Sequence, residues 1–408
     1  MSKYETYKPS GIDWIGEYPF HWRLERMKYA FAYEKGVNAA LYTQEYLADN
    51  FGNYPVYSGQ TEEEGVMGYI KSFDYDFPEV LFTTTVGAKA MTLLKLNGKF
   101  SLSQNCAIIF PKKKDINITF YFYFLQSQFD YEKGKISLIM QPSLRFQDLD
   151  FNKVIFPAFE EQLTIANYLD HQTLKIDRLI ANKKAQAEKL KELRQIEINN
   201  AVTKGLNPIA EMKDSGIDWL GKIPKHWTVK RLKSILININ SGDGITNDDL
   251  VEDGEFEIYG GNGVMGYTDK YNSEGKVIVI GRVGAKCGVV YLVDKKIWIS
   301  DNALQSRTYN SYEFVYYLID AMNLNNYANQ NAQPLITGGI LKVLYAGVPP
   351  KEEQIQIAKH LQERTTAIDK LISNIDAQIE KLQELRKIKI YEAVTGKIKV
   401  NAYVEATA

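Results

Sequence analysis

SGIDWIGEYPFHW, at Ser10–Trp22, is written a second time as SGIDWLGKIPKHW at Ser215–Trp227, and this return decides how the chain must be read. Working outward, GVMGY at Gly65–Tyr69 comes back letter for letter at Gly263–Tyr267, and VGAK at Val86–Lys89 comes back at Val283–Lys286. SLSQNC (Ser101–Cys106) has its counterpart in WISDNA (Trp298–Ala303). FPAFEEQLTIANYLD (Phe156–Asp170) answers VPPKEEQIQIAKHLQ (Val348–Gln362), and EKLKELRQIEINNAVT (Glu188–Thr203) answers EKLQELRKIKIYEAVT (Glu380–Thr395). The pairs keep the same order, so the chain is a tandem of two like halves. Two copies make a pair of domains, not a solenoid, which needs three or more short repeats.

Within each half the texture changes once. The first part, 1–157 and then 206–349, is rich in Gly, Tyr and Phe, with short apolar runs. VLFTTT (Val80–Thr85) and KVIVIG (Lys276–Gly281) read as buried strands of a meander, each followed by a glycine turn and a further apolar run. YFYFLQSQF (Tyr121–Phe129) and YEFVYYLIDAM (Tyr312–Met322) read as helices packed on that sheet. These heads are therefore α+β.

The second part of each half, 158–205 and 350–397, reads as one long helix, with 398–408 left as a tail. Pro157 and Pro349–Pro350 precede the helices, where a missing N–H does no harm. Glu160–Glu161 and Glu352–Glu353 then fall in the first turn, where the helix dipole favours negative charge. Apolar residues follow at heptad steps: Ile176, Leu179, Leu190 and Leu193 on one helix, and Ile368, Leu371, Ile375, Leu382 and Leu385 on the other. Lys183, Gln186 and Gln378 interrupt the stripes, and Gly205 and Gly396 stand where the patterns stop. At 1.5 Å per residue each helix spans roughly 65 Å. A helix of that length with one narrow apolar stripe needs a partner. Pairing with each other predicts two heads joined by two antiparallel coiled-coil helices with pseudo-twofold symmetry; the alternative pairs each helix with another chain.

Composition is that of an ordinary globular protein, 45% hydrophobic and 24% charged. Two isolated cysteines, Cys106 and Cys287, with no CxxC exclude a disulfide framework or zinc ribbon and suit a reducing, cytoplasmic setting. No signal peptide or membrane span is expected. The formal net charge of −1 does not by itself point to nucleic acid, so any basic footprint has to be assembled locally by folding.

The SGIDW-x-G-x-x-P-x-HW motif, the PPKEEQ helix start, the EKL-x-ELR…AVTGKI helix end and their head–helix–head–helix order resemble the specificity subunit of Type I restriction–modification systems, over essentially the whole chain. The resemblance implies two target-recognition domains on double-stranded DNA, each reading one half of a split, asymmetric sequence. It implies that the helices form a fixed spacer and a docking surface for two modification subunits, with separate restriction and motor subunits in the full complex. S-adenosylmethionine, ATP and Mg are then expected on those partners and none on this chain. Two heads on one face of a duplex suit half-sites about one helical turn apart, roughly 34–36 Å.

Several residues are candidates for touching DNA. In VGAK the glycine lets backbone approach a phosphate, and Lys89 or Lys286 can contact one, although a plain hairpin turn with a solvated lysine reads equally well. Arg282, beside the second copy, can read guanine bidentately. YSGQ, with Tyr57 and Gln60, and YGGN, with Tyr259 and Asn262, offer an aromatic ring and an amide for base edges, or else a tight turn. Asn105 and Asn302 read as residues that hold the fold, as do Gln141 and Gln333. Arg145 has no arginine matching it in the second head and is a candidate for a difference in specificity. His21 and His226 read as packed, structural imidazoles; no metal-ligand spacing occurs.

Enzymatic readings are weak. Gly261, Gly263 and Gly266 spell GxGxxG, but GYTDKYNSEG follows where a dinucleotide fold needs a helix. Val348–Lys351 resembles the Pro-Pro loop of adenine methyltransferases only faintly, since valine and lysine can neither accept from a flipped base nor stack on it. No GxxxxGK[ST] occurs to cradle a nucleotide. The chain is expected to carry no catalytic centre; a diverged methyltransferase or nuclease and a coiled-coil adaptor are the alternatives.

Overall fold

A computed structural model describes residues 2–59, 65–136, 141–328 and 334–401. The chain divides into two compact units, one of residues 1–182 with 378–408 and the other of residues 183–377. The helices are α1 (Gln44–Asp49), α2 (Ile118–Gly134), α3 (Phe146–Phe151), α4 (Phe159–Lys204), α5 (Tyr312–Ala321), α6 (Gly338–Val343) and α7 (Lys351–Val394). Each unit thus holds one head, the first half of the long helix that follows that head, and the last half of the other long helix.

In the first unit a six-stranded sheet runs Phe31–Lys35, Cys106–Pro111, Tyr75–Thr84, Leu93–Leu102, Phe51–Tyr57, Val66–Ile70. In the second the same order appears in two pieces. Leu236–Ser241, Ala303–Thr308, Lys276–Gly281 and Val290–Asp294 form one sheet, and Gly263–Thr268, Phe256–Gly260 and Trp298–Ile299 form the other. The predicted strands lie at the centre, fully buried over Val80–Thr84 and Val277–Gly281. The expected meander holds only for the first hairpin. Leu93–Leu102 bends, so that its end pairs in parallel with Val56–Tyr57, and Cys106–Pro111 then returns on the opposite side of Tyr75–Thr84. A parallel pair cannot be closed by a short turn, and the sheet supplies the missing distance by curling.

The predicted head helices form as α2 and α5, each welded to a long helix by the glutamine of the EEQ motif. Gln162 Oε1 accepts from the Asn117 N–H at 2.9 Å while its amide donates to the carbonyls of Asp115 and Pro157 at 3.1 and 3.0 Å. Gln354 does the same work in the second unit, accepting from Ser311 N–H at 3.0 Å and donating to Asn310 Oδ1 and the Pro349 carbonyl. One side chain therefore satisfies the orphan groups of two chain segments at once.

The core of the first unit gathers Trp14, Trp22, Phe31, Tyr121 and Phe124 with Ile165 and Leu169 of α4 and Ile390 and Val394 of α7. That of the second gathers Trp227, Leu232, Ile278 and Phe314 with Ile357 and Leu361 of α7 and Ile198 and Val202 of α4. Trp22 and Trp227 are completely buried. Gly396 has a φ of +70° and sits so close to the opening motif that a Cβ would lie 2.4 Å from the Pro19 ring. The N- and C-terminal segments also meet in the first unit, where the Lys399 N–H donates to the Ser2 carbonyl at 2.9 Å.

The long helices pair antiparallel within each unit. In the second, Arg194 bonds Asp369 at 3.1 Å and Arg364 bonds Glu197 at 3.0 Å, so residue numbers rise on one helix as they fall on the other. In the first, Arg386 bonds Asp177 at 3.0 Å. The seam departs from the heptad expectation. Ile176, Ile368 and Ile375 are buried and Leu190 and Leu382 half-buried, but Leu179, Leu193, Leu371 and Leu385 are exposed. Ile180 and Ile372 stand nearer the seam than the leucines that precede them. The less exposed positions still keep a seven-residue repeat, 176–183–190 with 180–187–194 on α4 and 368–375–382 with 372–379–386 on α7, so the second seam position lies one residue after the leucine that the stripe named.

Candidate nucleic-acid interface

The repeated loops of each head converge on one surface at the end of its central strand. In the first head the Thr85 N–H donates to the Asn105 carbonyl at 2.8 Å, and the Thr85 carbonyl accepts from the Leu144 N–H at 2.7 Å. Val86 then bridges Ser143, and the Gly87 N–H donates to the Pro142 carbonyl at 3.1 Å. The second head repeats this frame bond for bond. The Arg282 N–H donates to Asn302, its carbonyl accepts from Ile336, Val283 bridges Leu335, and the Gly284 N–H donates to Pro334. Gly87 and Gly284 have φ values of +100° and +88°, a conformation that favours glycine and that turns the VGAK tip outward. Lys89 and Lys286 lie exposed on those tips.

Around this junction the first head opens two adjoining cavities of about 400 and 540 Å³. They share Ala39, Val86, Ser103, Gln104 and Asn105, and Arg145 lines the larger one. Ser103, Gln104, Asn105 and Ser143 bring hydroxyl and amide groups, of the kind that read base edges, to walls that also hold Ala39, Val86, Leu144 and Phe146. In the second head Gly261 lies against the Val283 and Asn302 carbonyls, where a Cβ would come within 2.8 and 3.4 Å, which brings the loop carrying Asn262 to the same junction. Arg282 is half-buried there; one guanidinium nitrogen donates to the Asp301 carbonyl at 3.3 Å, while its Nε is buried with no partner among the described residues.

The junction thus assembles Lys89 and Arg145 in one head and Asn262, Arg282 and Lys286 in the other; Gln60 and Gln333 lie outside the described residues. Tyr57 and Tyr259 are placed differently from the expectation. The Tyr57 ring packs on Phe82 and Phe100 at 5.8 and 5.9 Å, and that of Tyr259 packs on Tyr291 at 5.7 Å. Both occupy strand positions whose side chains alternate toward the sheet. Burial, with the Glu257 carboxylate nearby, pushes the Tyr259 hydroxyl up to about 12. Their backbones still serve the loop, since Ser103 and Ser300 donate to the Tyr57 and Tyr259 carbonyls at 2.8 and 2.9 Å.

Asn105 and Asn302 hold the fold through their carbonyls, as read from the sequence. His21 and His226 are not packed away. They bond Glu161 and Glu353, in the first turns of α4 and α7, at 3.2 and 2.7 Å while staying about half exposed. Gln104 was missed. It lies inside a quoted repeat, SLSQNC, and the signal was that its counterpart is Asp301, an acid in place of an amide. Cys106 is inert here, its thiol pushed up to about 12 by burial. The GxGxxG glycines form a β-hairpin, Phe256–Gly260 with Gly263–Thr268, and no phosphate-binding helix follows. Among the described residues no cluster of His, Cys, Asp and Glu is arranged to hold a metal, and no helix is long and apolar enough to cross a membrane.

Comparison with known proteins follows this geometry. The family described as Type I restriction modification DNA specificity domain matches residues 37–191 and 224–381, one copy per half. The specificity subunit of the type I restriction enzyme EcoprrI of Escherichia coli is 31% identical over 137 residues, 32% of this chain and 34% of that one. The match thus spans about a third of the length of that relative. The specificity subunit of the MjaVIII enzyme of Methanocaldococcus jannaschii is 24% identical over 94% of both chains. In fold, a chain from a solved structure concerned with complex assembly and conformational transition of the type I R-M system is similar at a TM-score of 0.69. It is 13% identical, covering 93% of this chain and 99% of that one.

Proposed function

The chain belongs to the Type I restriction modification DNA specificity family, and from that premise we propose that it reads a split, asymmetric DNA target and performs no chemistry of its own. The observation that carries this reading is the doubled loop junction: one backbone frame, built twice, holding different side chains in its two copies. A shared frame meets the duplex in the same way, and unlike side chains ask for unlike sequences. Lys89 and Lys286 on the glycine tips suit phosphate, and in the first head the hollow that Gln104 and Asn105 line suits base edges.

Scaffolding is the other half of the proposal. The exposed apolar residues of the long helices repeat between the units. Leu179, Leu385 and Ile388 stand in the first, and Leu371, Leu193 and Ile196 at the matching positions of the second. Two like apolar faces suit two copies of one partner, the modification subunit. S-adenosylmethionine, ATP and Mg then belong to the modification, restriction and motor subunits.

Mapping methylated bases in cells that express this chain with a modification partner tests the reading. A split motif is expected, and exchanging residues 206–349 for those of another family member should change one half of it alone. Methyl transfer by the purified chain without a partner, or a continuous motif, would overturn the proposal. Leu371→Lys should lower modification several-fold by weakening assembly.

A further inference from the structure

The two heads place their arginines at complementary positions of the same junction. Position 85 in the first head and 282 in the second occupy one point of the frame, each donating to the asparagine carbonyl and accepting from the loop opposite. The first is Thr85, buried at 5% exposure; the second is Arg282. Directly across the backbone bridge, position 145 in the first head answers 337 in the second. There the identities reverse, with Arg145 against Thr337.

Local structure explains why one arginine is presented in each head and not two. Thr337 is the N-cap of α6, its hydroxyl accepting from the Ile340 N–H at 3.3 Å, so its side chain is turned back to the helix. Arg145 is the N-cap residue of α3 but has no acceptor to offer. The Asp148 carboxylate takes its backbone N–H at 2.9 Å instead, and Arg145 stays exposed, lining the cavity together with Gln104 and Asn105. Among the described residues no carboxylate pairs with the Arg145 guanidinium, nor with Arg282, which has only the 3.3 Å contact to a carbonyl. An arginine at this junction with no carboxylate partner among the described residues, exposed as Arg145 is or half-buried as Arg282 is, is suited to a pair of acceptors in a plane. Guanine O6 and N7 in the major groove are such a pair.

On the reading proposed above, we infer that each half-site contains a guanine read by this single arginine, Arg145 in the first head and Arg282 in the second. Because the arginines rise from opposite strands of one bridge, the two guanines stand at different places relative to their half-site frames. The exchange Thr85/Arg145 for Arg282/Thr337 is then a means by which one scaffold reads two sequences.

The test selects bound duplexes from a randomised library with the complete complex of this chain and its modification subunits. Arg282→Gln should cut discrimination for guanine at one position by about 5- to 150-fold, in one half-site alone. Arg145→Gln should do so in the other half-site alone. Arg282→Lys and Arg145→Lys keep the charge but lose the fork, and should likewise relax the guanine. Melting curves of the variants, unchanged from the parent, show that folding is intact. Uniform weakening across all sequences in the Gln variants, with binding and selectivity retained in the Lys variants, would mean phosphate contacts and sink the inference; so would an unchanged guanine. Either leaves the split target standing, whereas a parent complex that selects no split sequence removes the broader reading first.

Discussion

The first and second units repeat the same joints with different degrees of satisfaction. In the first, Glu161 accepts from the Trp22 indole at 2.8 Å, from the Tyr4 hydroxyl and from His21. In the second, Glu353 bonds His226, and the Trp227 indole N–H is buried with no partner among the described residues. The balance reverses around the other tryptophan of the motif. Trp219 donates to the Tyr345 carbonyl at 3.0 Å, whereas the Trp14 N–H has no partner among the described residues. Trp14 instead borders a cavity of about 990 Å³ between the longer α2 and the two long helices. The difference teaches that duplication preserves the shape of a joint more strictly than its hydrogen bonds, because packing sets where the rings must sit and polar neighbours can be exchanged around them.

That contrast predicts an ordering of stabilities, largest first. Trp22→Phe removes both volume and a hydrogen bond to a carboxylate, worth about 1.5–3 kcal/mol by itself. Trp227→Phe loses volume but also removes a buried N–H that has no partner among the described residues, so it should cost less, under about 2 kcal/mol. Urea unfolding monitored by circular dichroism measures both. Equal losses would mean that the Trp22–Glu161 bond contributes nothing net, and the comparison would lose its basis.

What the sequence made legible follows from how local its signals are. The duplication, the buried strands and the long helices are patterns of neighbours along the chain, and the helices read as 158–205 and 350–397 run Phe159–Lys204 and Lys351–Val394. The exposure of Leu179 and Leu371 depends on which of two adjacent apolar residues, Leu179 or Ile180 and Leu371 or Ile372, meets the partner helix, and the sequence offers both. The inward turn of Tyr57 and Tyr259 depends on which face of a strand meets the core, and YSGQ alone does not say. The reversal of arginine and threonine between the heads was invisible because positions 85 and 145 are joined by a backbone bridge between segments far apart in sequence. Alignment of the halves showed each difference singly, and only the fold puts them side by side.

A second, smaller contrast lies where the long helices pass α2 and α5. Arg386 pairs with Asp177 at 3.0 Å, with Gln126 nearby in the same cavity lining. Arg194, its counterpart, meets Asp369 at 3.1 Å and also Asp320 at 3.9 Å, the residue that replaces Gln126. Arg386→Ala should therefore cost under about 1 kcal/mol, as for other half-exposed pairs. Arg194→Ala leaves the Asp320 carboxylate in a low-dielectric site without its cation and should cost about 1–3 kcal/mol. A thermal melt of each variant against the parent would collapse the distinction if the two losses were alike.

The smallest expected effect is also the most diagnostic. Burial raises the Asp320 carboxyl above its ordinary value, and Arg194 pulls it only part of the way back. A carboxyl whose folded value lies above its unfolded value binds its proton more tightly in the folded state. Its charged form therefore weakens the fold at neutral pH, and the penalty is relieved as pH falls through the folded value toward the unfolded one. Asp320→Asn copies the neutral amide that Gln126 supplies in the first unit. It should raise the melting temperature by about 1–3 °C at pH 7, and the gain should shrink toward nothing near pH 4. A gain that is constant across that range would assign the effect to packing rather than charge. A loss would show that the Arg194 pair outweighs the burial of the carboxylate. That loss alone would make the acid at this point an asset of the second unit.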